Sequence, residues 1–259
     1  MFIKEFARVI EETFPNAPIF VDLFGGSGLL SRTIKDTLPH AEVVYNDYDD
    51  YSTRLAHIPL TNAILADIRL FVKNEKRQQK LSGHTKKEVC DYLHRRAIAG
   101  DFVDCLTLSA SLLFSGKFAK DIETLCAGGM YNTVVQRDYT VAEDYLKGLT
   151  VTRLDYRELV RQYKNIPGVV FIADPPYMFT DKKSYNGYWG IAECLDVLKV
   201  LGDNFVYFTS SKSEIIELTR WIEGVTGWSP LRNTRMITRR NEVNGTTGYI
   251  DIMAYKSSV

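Results

Sequence analysis

One stretch constrains this chain more than any other: Val169-Val170-Phe171-Ile172-Ala173-Asp174-Pro175-Pro176-Tyr177. Its first five residues are apolar and mostly β-branched or aromatic. That is the make-up of a strand buried on both faces in the middle of a parallel sheet. Pro175 and Pro176 must end the strand, because neither donates to a ladder and each disfavours a helical predecessor. The sheet therefore delivers an acid, two stiff carbonyl-bearing residues and an aromatic ring to its carboxyl edge, where open α/β sheets hold their ligands. A carboxylate and a fixed carbonyl accept two hydrogens from one amino group, and the ring stacks on a flat π-system. This set suits a nucleobase carrying an exocyclic amine.

The amino-terminal part supplies a second signal. Phe2, Phe6, Val9, Ile10 and Phe14 fall at helical spacing and predict an amphipathic helix stopped by Pro15. Ile19 to Phe24 is then a strand, Gly25-Gly26-Ser27-Gly28 a tight turn, and Leu29 to Leu38 a helix. Glycine lets the backbone approach a ligand closely, and the helix N-terminus adds a positive dipole end. Val43 to Asp47 is a second strand ending in an acid, about 20 residues after the turn, where an acid accepts from both ribose hydroxyls of a nucleoside cofactor. The competing role for Asp47 is to cap the helix that starts near Asp49.

From about 61 to 142 the strand pattern lapses into a helical stretch with a basic run. Arg69, Lys73, Lys76, Arg77, Lys80, Lys86, Lys87, Arg95 and Arg96 stand among only Glu75, Glu88 and Asp91, an excess of six positive charges. Phosphate contact and a solvated helix face weigh equally as explanations. The end of the stretch, Phe114 to Asn132, is expected to be loop. The α/β rhythm then resumes. Strands are expected at Leu149 to Leu154, 169 to 174 and Asn204 to Ser211, and helices at Arg157 to Tyr163, Trp189 to Leu201 and Ser213 to Ile222. A final pair of strands flanks Asn244-Gly245, a strong hairpin signal.

The 259 residues suit one large domain, or one domain carrying a substantial insertion, and formal net charge is zero, so only local patches argue for nucleic acid. Cys90, Cys105, Cys126 and Cys194 lie far apart and are expected to be reduced core thiols. His40, His57, His84 and His94 show no ligand spacing, so no metal is expected. No apolar run approaches the roughly 18 residues of a membrane span, and the opening residues lack the apolar core of a signal peptide. The expectation is a cytoplasmic protein with no membrane partner.

Three features stand in order: Asp22-Leu23-Phe24-Gly25-Gly26-Ser27-Gly28, then Asp47, then Asp174-Pro175-Pro176-Tyr177. In this the chain resembles the Dam-like, alpha-group DNA adenine-N6 methyltransferases that use S-adenosylmethionine. The resemblance implies an α/β, Rossmann-like class I methyltransferase sheet, mostly parallel with a C-terminal antiparallel hairpin. It also implies a catalytic domain from 1–60 and 143–259, with an inserted helical target-recognition region at 61–142. Phe24, Gly26 and Gly28 would shape the pocket for the methionine part of the cofactor, with Asp22 beside its amino group. Asp47 would take the ribose hydroxyls, and Asp155 and Tyr156 would border the cofactor adenine, with tyrosine where phenylalanine is usual. Asp155 has an alternative as a helix N-cap. Asp174 and the Pro175 carbonyl would accept the hydrogens of the target amine, and Tyr177 would stack on the extruded base. Double-stranded DNA is the implied partner. The family's lysine-containing opening motif has no counterpart, since the N-terminus offers Lys4 and no glycine.

The nearest rivals are the same chemistry on RNA adenine or on the N4 amine of DNA cytosine, and an inactive nucleic-acid-binding relative. An NAD-dependent oxidoreductase is disfavoured. Gly28 is followed by Leu29-Leu30-Ser31, so the third dinucleotide glycine is absent, and Asp174 to Tyr177 would go unexplained.

Overall fold

A strand that is apolar at every position must be covered on both sides, and the sheet that results is the frame of the site. The structure, a computed structural model, describes residues 2–114, 116–176, 189–244 and 247–258. Among the described residues there are seven strands: β1 (Ile19–Asp22), β2 (Glu42–Asn46), β3 (Thr150–Thr152), β4 (Val170–Ala173), β5 (Phe205–Ser210), β6 (Arg235–Asn244) and β7 (Thr247–Lys256). They form one sheet in the order β3-β2-β1-β4-β5-β7-β6. The first five are parallel, whereas β7 runs antiparallel to β5 and pairs with β6 in the expected hairpin. The order reverses direction between β1 and β4, which opens a crevice at the carboxyl ends of those two strands.

The helices are α1 (Ile3–Thr13), α2 (Leu29–Thr37), α3 (Tyr51–Ala56), α4 (Ile58–Phe71), α5 (Gly83–Ile98), α6 (Cys105–Leu112), α7 (Ile122–Ala127), α8 (Tyr156–Tyr163), α9 (Ile191–Val200) and α10 (Ile215–Thr226). On one sheet face, Phe6 and Ile10 of α1 and Ile34 of α2 pack on Phe20, Val43, Ile172 and Val206. On the other, Leu159 of α8, Val197 of α9 and Ile215 of α10 pack on Val21, Val44, Phe171 and Tyr207. Alternate residues of each strand go to opposite faces, so both parities of β4 are apolar. Among the described residues no helix is long and apolar enough to cross a membrane.

The chain divides into two compact units, Met1–Tyr51 with Tyr145–Val259, and Ser52–Asp144. The expected boundary at 61 falls inside α4, because that helix begins ahead of the basic run. The second unit has its own core, with Ile64, Leu65, Leu93, Leu108 and Met130 inaccessible to solvent.

Two expectations for this unit change. The supposed loop from 114 to 132 contains α7, whose first turn is capped by the Asp121 carboxylate accepting from the Thr124 amide at 2.6 Å. Cys90 and Cys126 are joined in a disulfide with Cα atoms 5.9 Å apart, so they are not reduced thiols. Packing of α5 against α7 brings these two distant residues together, which their spacing alone does not disclose. Cys105 and Cys194 are buried free thiols, as expected.

Candidate active site

A cavity of about 320 Å³ opens at the carboxyl ends of the parallel strands, within the size range of small-ligand pockets. The turn after β1 forms its floor. Gly26 and Gly28 have φ of +48° and +72°, the left-handed region that favours glycine. Gly28 also stands at the N-terminus of α2, and its amide donates to the Gly25 carbonyl at 2.7 Å. Gly25 is constrained differently. A Cβ there would overlap the Tyr45 ring and come within 2.8 Å of the Asn46 carbonyl oxygen. Tyr45 lies under the turn, its hydroxyl donating to the Gly26 carbonyl at 2.8 Å. Gly25→Ala is therefore expected to lower stability by about 1–3 kcal/mol, the usual effect of overpacking a filled interior. An unchanged urea midpoint would show that the Tyr45 ring yields.

Asp22 ends β1 and is wholly buried. The Ser31 hydroxyl donates to its Oδ2 at 2.6 Å, while Oδ1 has no hydrogen-bond partner among the described residues. Burial pushes the carboxyl up to about 6, opposed by the Ser31 hydroxyl and the nearby Phe24 and Ser31 amides. Phe24 lines the cavity, its ring 5.2 Å from that of Tyr156 and 5.4 Å from that of Trp189.

At the end of β2 the structure departs from the spacing argument. The Asp47 carboxylate is 1% exposed and does not line the cavity. Its Oδ1 accepts from the Tyr51 amide at 2.5 Å and the Tyr45 hydroxyl at 3.1 Å, and its Oδ2 meets Arg153 at 3.4 Å. Asp47 thus fills the capping role at the start of α3, and the cavity wall here comes from Asn46, Tyr48 and Asp49. Asn46 ties three strand ends together. Its amide donates to the Leu23 and Leu154 carbonyls at 3.0 and 2.9 Å and accepts from the Leu154 amide at 3.0 Å.

After β3 come Asp155 and Tyr156, both on the cavity wall. The Asp155 carboxylate also caps α8, accepting from the Arg157 amide at 2.8 Å. Tyr156 is 6% exposed, and the Arg157 guanidinium lies 4.7 Å from its ring centroid. Asp174 and Pro176 follow β4 on the same wall, with Pro175 buried between them. Tyr177 lies outside the described residues. Trp189 and Glu193, at the amino end of α9, complete the lining. No local pattern marks Tyr45, Asn46, Asp49, Trp189 or Glu193 as site residues. Only the strand order gathers them.

The basic run belongs to the other unit, and the structure divides it. Arg69 is held by the Val135 carbonyl at 2.9 Å and Asp138 at 2.8 Å, and Arg77 by the Val134 carbonyl at 2.7 Å. Lys87 pairs with Asp91 at 2.5 Å and Arg96 with Asp101 at 2.6 Å. Lys73, Lys76, Lys80, Lys86 and Arg95 form no salt bridge among the described residues, and all but the half-buried Lys86 are exposed.

A glycine turn, several acids and three aromatic rings line one cavity at the switch point of a Rossmann-like sheet, the place where such sheets hold their ligands. The model of the D12 class N6 adenine-specific DNA methyltransferases matches residues 4–196, and the chain belongs to that family. A protein of Haemophilus influenzae described as a "Putative methyltransferase" is 33% identical over 245 residues, covering 91% of this chain and 80% of that one. Both support methyltransferase activity. Among solved structures, a precorrin-6y C5,15-methyltransferase from Geobacter metallireducens covers 98% of this chain and 88% of its own. It shares 11% identity at a TM-score of 0.33, a likeness that carries no argument.

Proposed function

We propose that this protein transfers a methyl group from S-adenosylmethionine to the N6 amine of an adenine extruded from double-stranded DNA. The observation that carries the reading is that Asp174 lines the same cavity as the Gly25–Ser27 turn. An acceptor for an amine and a turn suited to a cofactor therefore share one chamber.

The residues present fit that cofactor. Backbone amides of the turn and the positive end of α2 suit its carboxylate. Asp22 does not line the cavity, but its buried carboxylate, with Oδ1 unpartnered, directly precedes the lining residues Leu23 and Phe24 and puts negative charge where it favours the ammonium. Phe24, Tyr156 and Trp189 put aromatic rings on the cavity wall, a lining suited to a purine, and Asp49 is the acid after β2 on the wall, where ribose hydroxyls are expected. When bound, S-adenosylmethionine supplies a methyl group already activated on a sulfonium, so the protein contributes positioning and electrostatics.

The adenine N6 lone pair is delocalised into the ring. Asp174 and the Pro175 carbonyl accept both amine hydrogens, which lets that nitrogen rehybridise and attack in line. A paired base does not reach such a chamber, so it must be flipped out at a cost of a few kcal/mol. Stacking on Tyr177 returns roughly 1–3 kcal/mol of that.

The deciding experiment is tritium-methyl transfer to unmethylated duplex DNA and to RNA, with the labelled nucleoside identified after digestion. Label in N6-methyladenine of DNA is expected. Label confined to RNA or to N4-methylcytosine would overturn the reading.

The unbridged lysines of the basic run are expected to hold phosphates. Reversing the charge of Lys76 and Lys86 together should weaken binding to all DNA sequences alike. It should also reduce the slope of log affinity against log salt by about 1 for each phosphate no longer neutralised. An unchanged slope would leave these residues as a solvated face.

A further inference from the structure

Among the described residues, none that lines the cavity follows β5 or belongs to β7, so the chamber lies on the β1, β2 and β3 side of Asp174. With the cofactor there, a nucleotide whose base reaches Asp174 has the β5 side left for its sugar and phosphate. Ala173 of β4 pairs with Tyr207 of β5. Continuing that register sets Asp174 level with Phe208. Lys212 then lies beyond it by no more than about 13 Å at the rise of a strand, the scale of one nucleotide.

The turn that carries Lys212 is pinned to its neighbours. The Ser211 amide donates to the Ile250 carbonyl at 2.8 Å, and the Ser211 hydroxyl accepts from the Ile250 amide at 3.0 Å. The Lys212 amide donates to the Ser210 hydroxyl at 3.2 Å, and the Thr209 and Ser213 hydroxyls are 2.7 Å apart. Glu214 follows at φ +52°, a conformation that a non-glycine residue keeps only where its surroundings hold it. The Lys212 ammonium lies 3.9 Å from the centroid of the Tyr249 ring, yet the residue is exposed and forms no salt bridge among the described residues. Arg240, opposite Ile250 on β6, is a second exposed cation at this edge. A lysine braced on a ring while its charge stays open has less side-chain freedom to lose when it meets an anion.

We propose that Lys212, braced on Tyr249, holds a backbone phosphate of the nucleotide whose base reaches Asp174. This rests on the reading of the protein as a methyltransferase acting on extruded adenine and deepens it. Lys212 is the binding residue and Tyr249 the positioning residue. The catalytic unit thus grips the extruded nucleotide from the side opposite the cofactor, apart from any phosphates met by the basic run of the other unit.

The test is methyl-transfer kinetics on unmethylated duplex DNA for wild type, Lys212→Ala, Lys212→Arg, Tyr249→Phe and Tyr249→Leu. Urea midpoints and S-adenosylhomocysteine affinity are measured beside it and should not move in the lysine variants. Lys212→Ala should lower kcat and kcat/KM alike by about tenfold, because the contact forms only once the nucleotide is extruded. Its affinity for the duplex should stay within about twofold of wild type. Lys212→Arg keeps a cation able to lie on the ring and should retain most of the rate. Tyr249→Phe should match wild type, whereas Tyr249→Leu should lose about threefold. An unchanged rate in Lys212→Ala would overturn the proposal, as would an arginine variant as slow as the alanine one. So would a raised KM with kcat intact, which would mark a contact made with the paired duplex. No transfer by the wild-type protein would overturn the functional reading and this inference with it, a result distinct from any difference between variants.

Discussion

Replacing Asp174 by alanine is expected to lower methyl transfer by roughly 100- to 1,000-fold, the scale for removing one group aimed at developing charge. S-adenosylhomocysteine binding should stay within about twofold of wild type, because the proposed cofactor contacts come mainly from the turn after β1 and the aromatic wall. Asp174→Asn keeps the shape but can turn a donor toward the amine, and should be almost as impaired. The two measurements separate an amine acceptor from a residue that merely shapes the cavity. A shaping residue would lose cofactor affinity and rate together, and Asn would largely rescue it. That pattern would remove Asp174 from the chemistry.

The second large effect concerns Asp22. Its folded carboxyl lies at about 6 against an ordinary 3.8, so between those values the folded chain holds a proton that the unfolded chain has released. Stability conferred by the neutral form is present below about pH 4 and is lost as pH rises through 6. At about 1.4 kcal/mol per pH unit, the window is worth roughly 3 kcal/mol. Asp22→Asn carries no such penalty. It should match wild type near pH 4 and exceed it by up to about 3 kcal/mol at pH 7, read from urea unfolding without ligand. The same variant should bind S-adenosylhomocysteine more weakly, because an amide lacks the negative charge that favours a nearby ammonium. A variant that is never more stable than wild type at neutral pH would show that the buried acid is fully solvated by its neighbours.

Much of this architecture is legible from residues alone, for physical reasons that differ along the chain. The β4 strand is evident because burial on both faces leaves an unbroken apolar run and two prolines mark its end. The turn after β1 is evident because positive φ restricts Gly26 and Gly28 to glycine. Local patterns carry less about what side chains do once strands are neighbours. The spacing of Asp47 locates the end of β2 correctly, yet not which way the carboxylate turns, since the first amide of α3 competes for it. Gly25 looks interchangeable with Gly26 until Tyr45 is seen beneath it. Trp189 and Glu193 lie at the start of a helix with no motif of its own, and the sheet order alone brings them to the cavity. The short α7 escapes notice because it is a brief helical turn in a stretch otherwise rich in glycine and aromatic residues.

The insertion between β2 and β3 also has a consequence for how the chain is made. Val21 of β1 pairs with Phe171 of β4, so the crevice cannot form until Ser52–Asp144 and the residues after it have emerged from the ribosome. The inserted unit is continuous in sequence and has its own core, whereas its host is assembled from two separated pieces. Synthesis from the N-terminus favours completion of continuous units first. The guest is thus expected to fold before its host, and the glycine turn waits, open-sided, for the strand that carries Asp174.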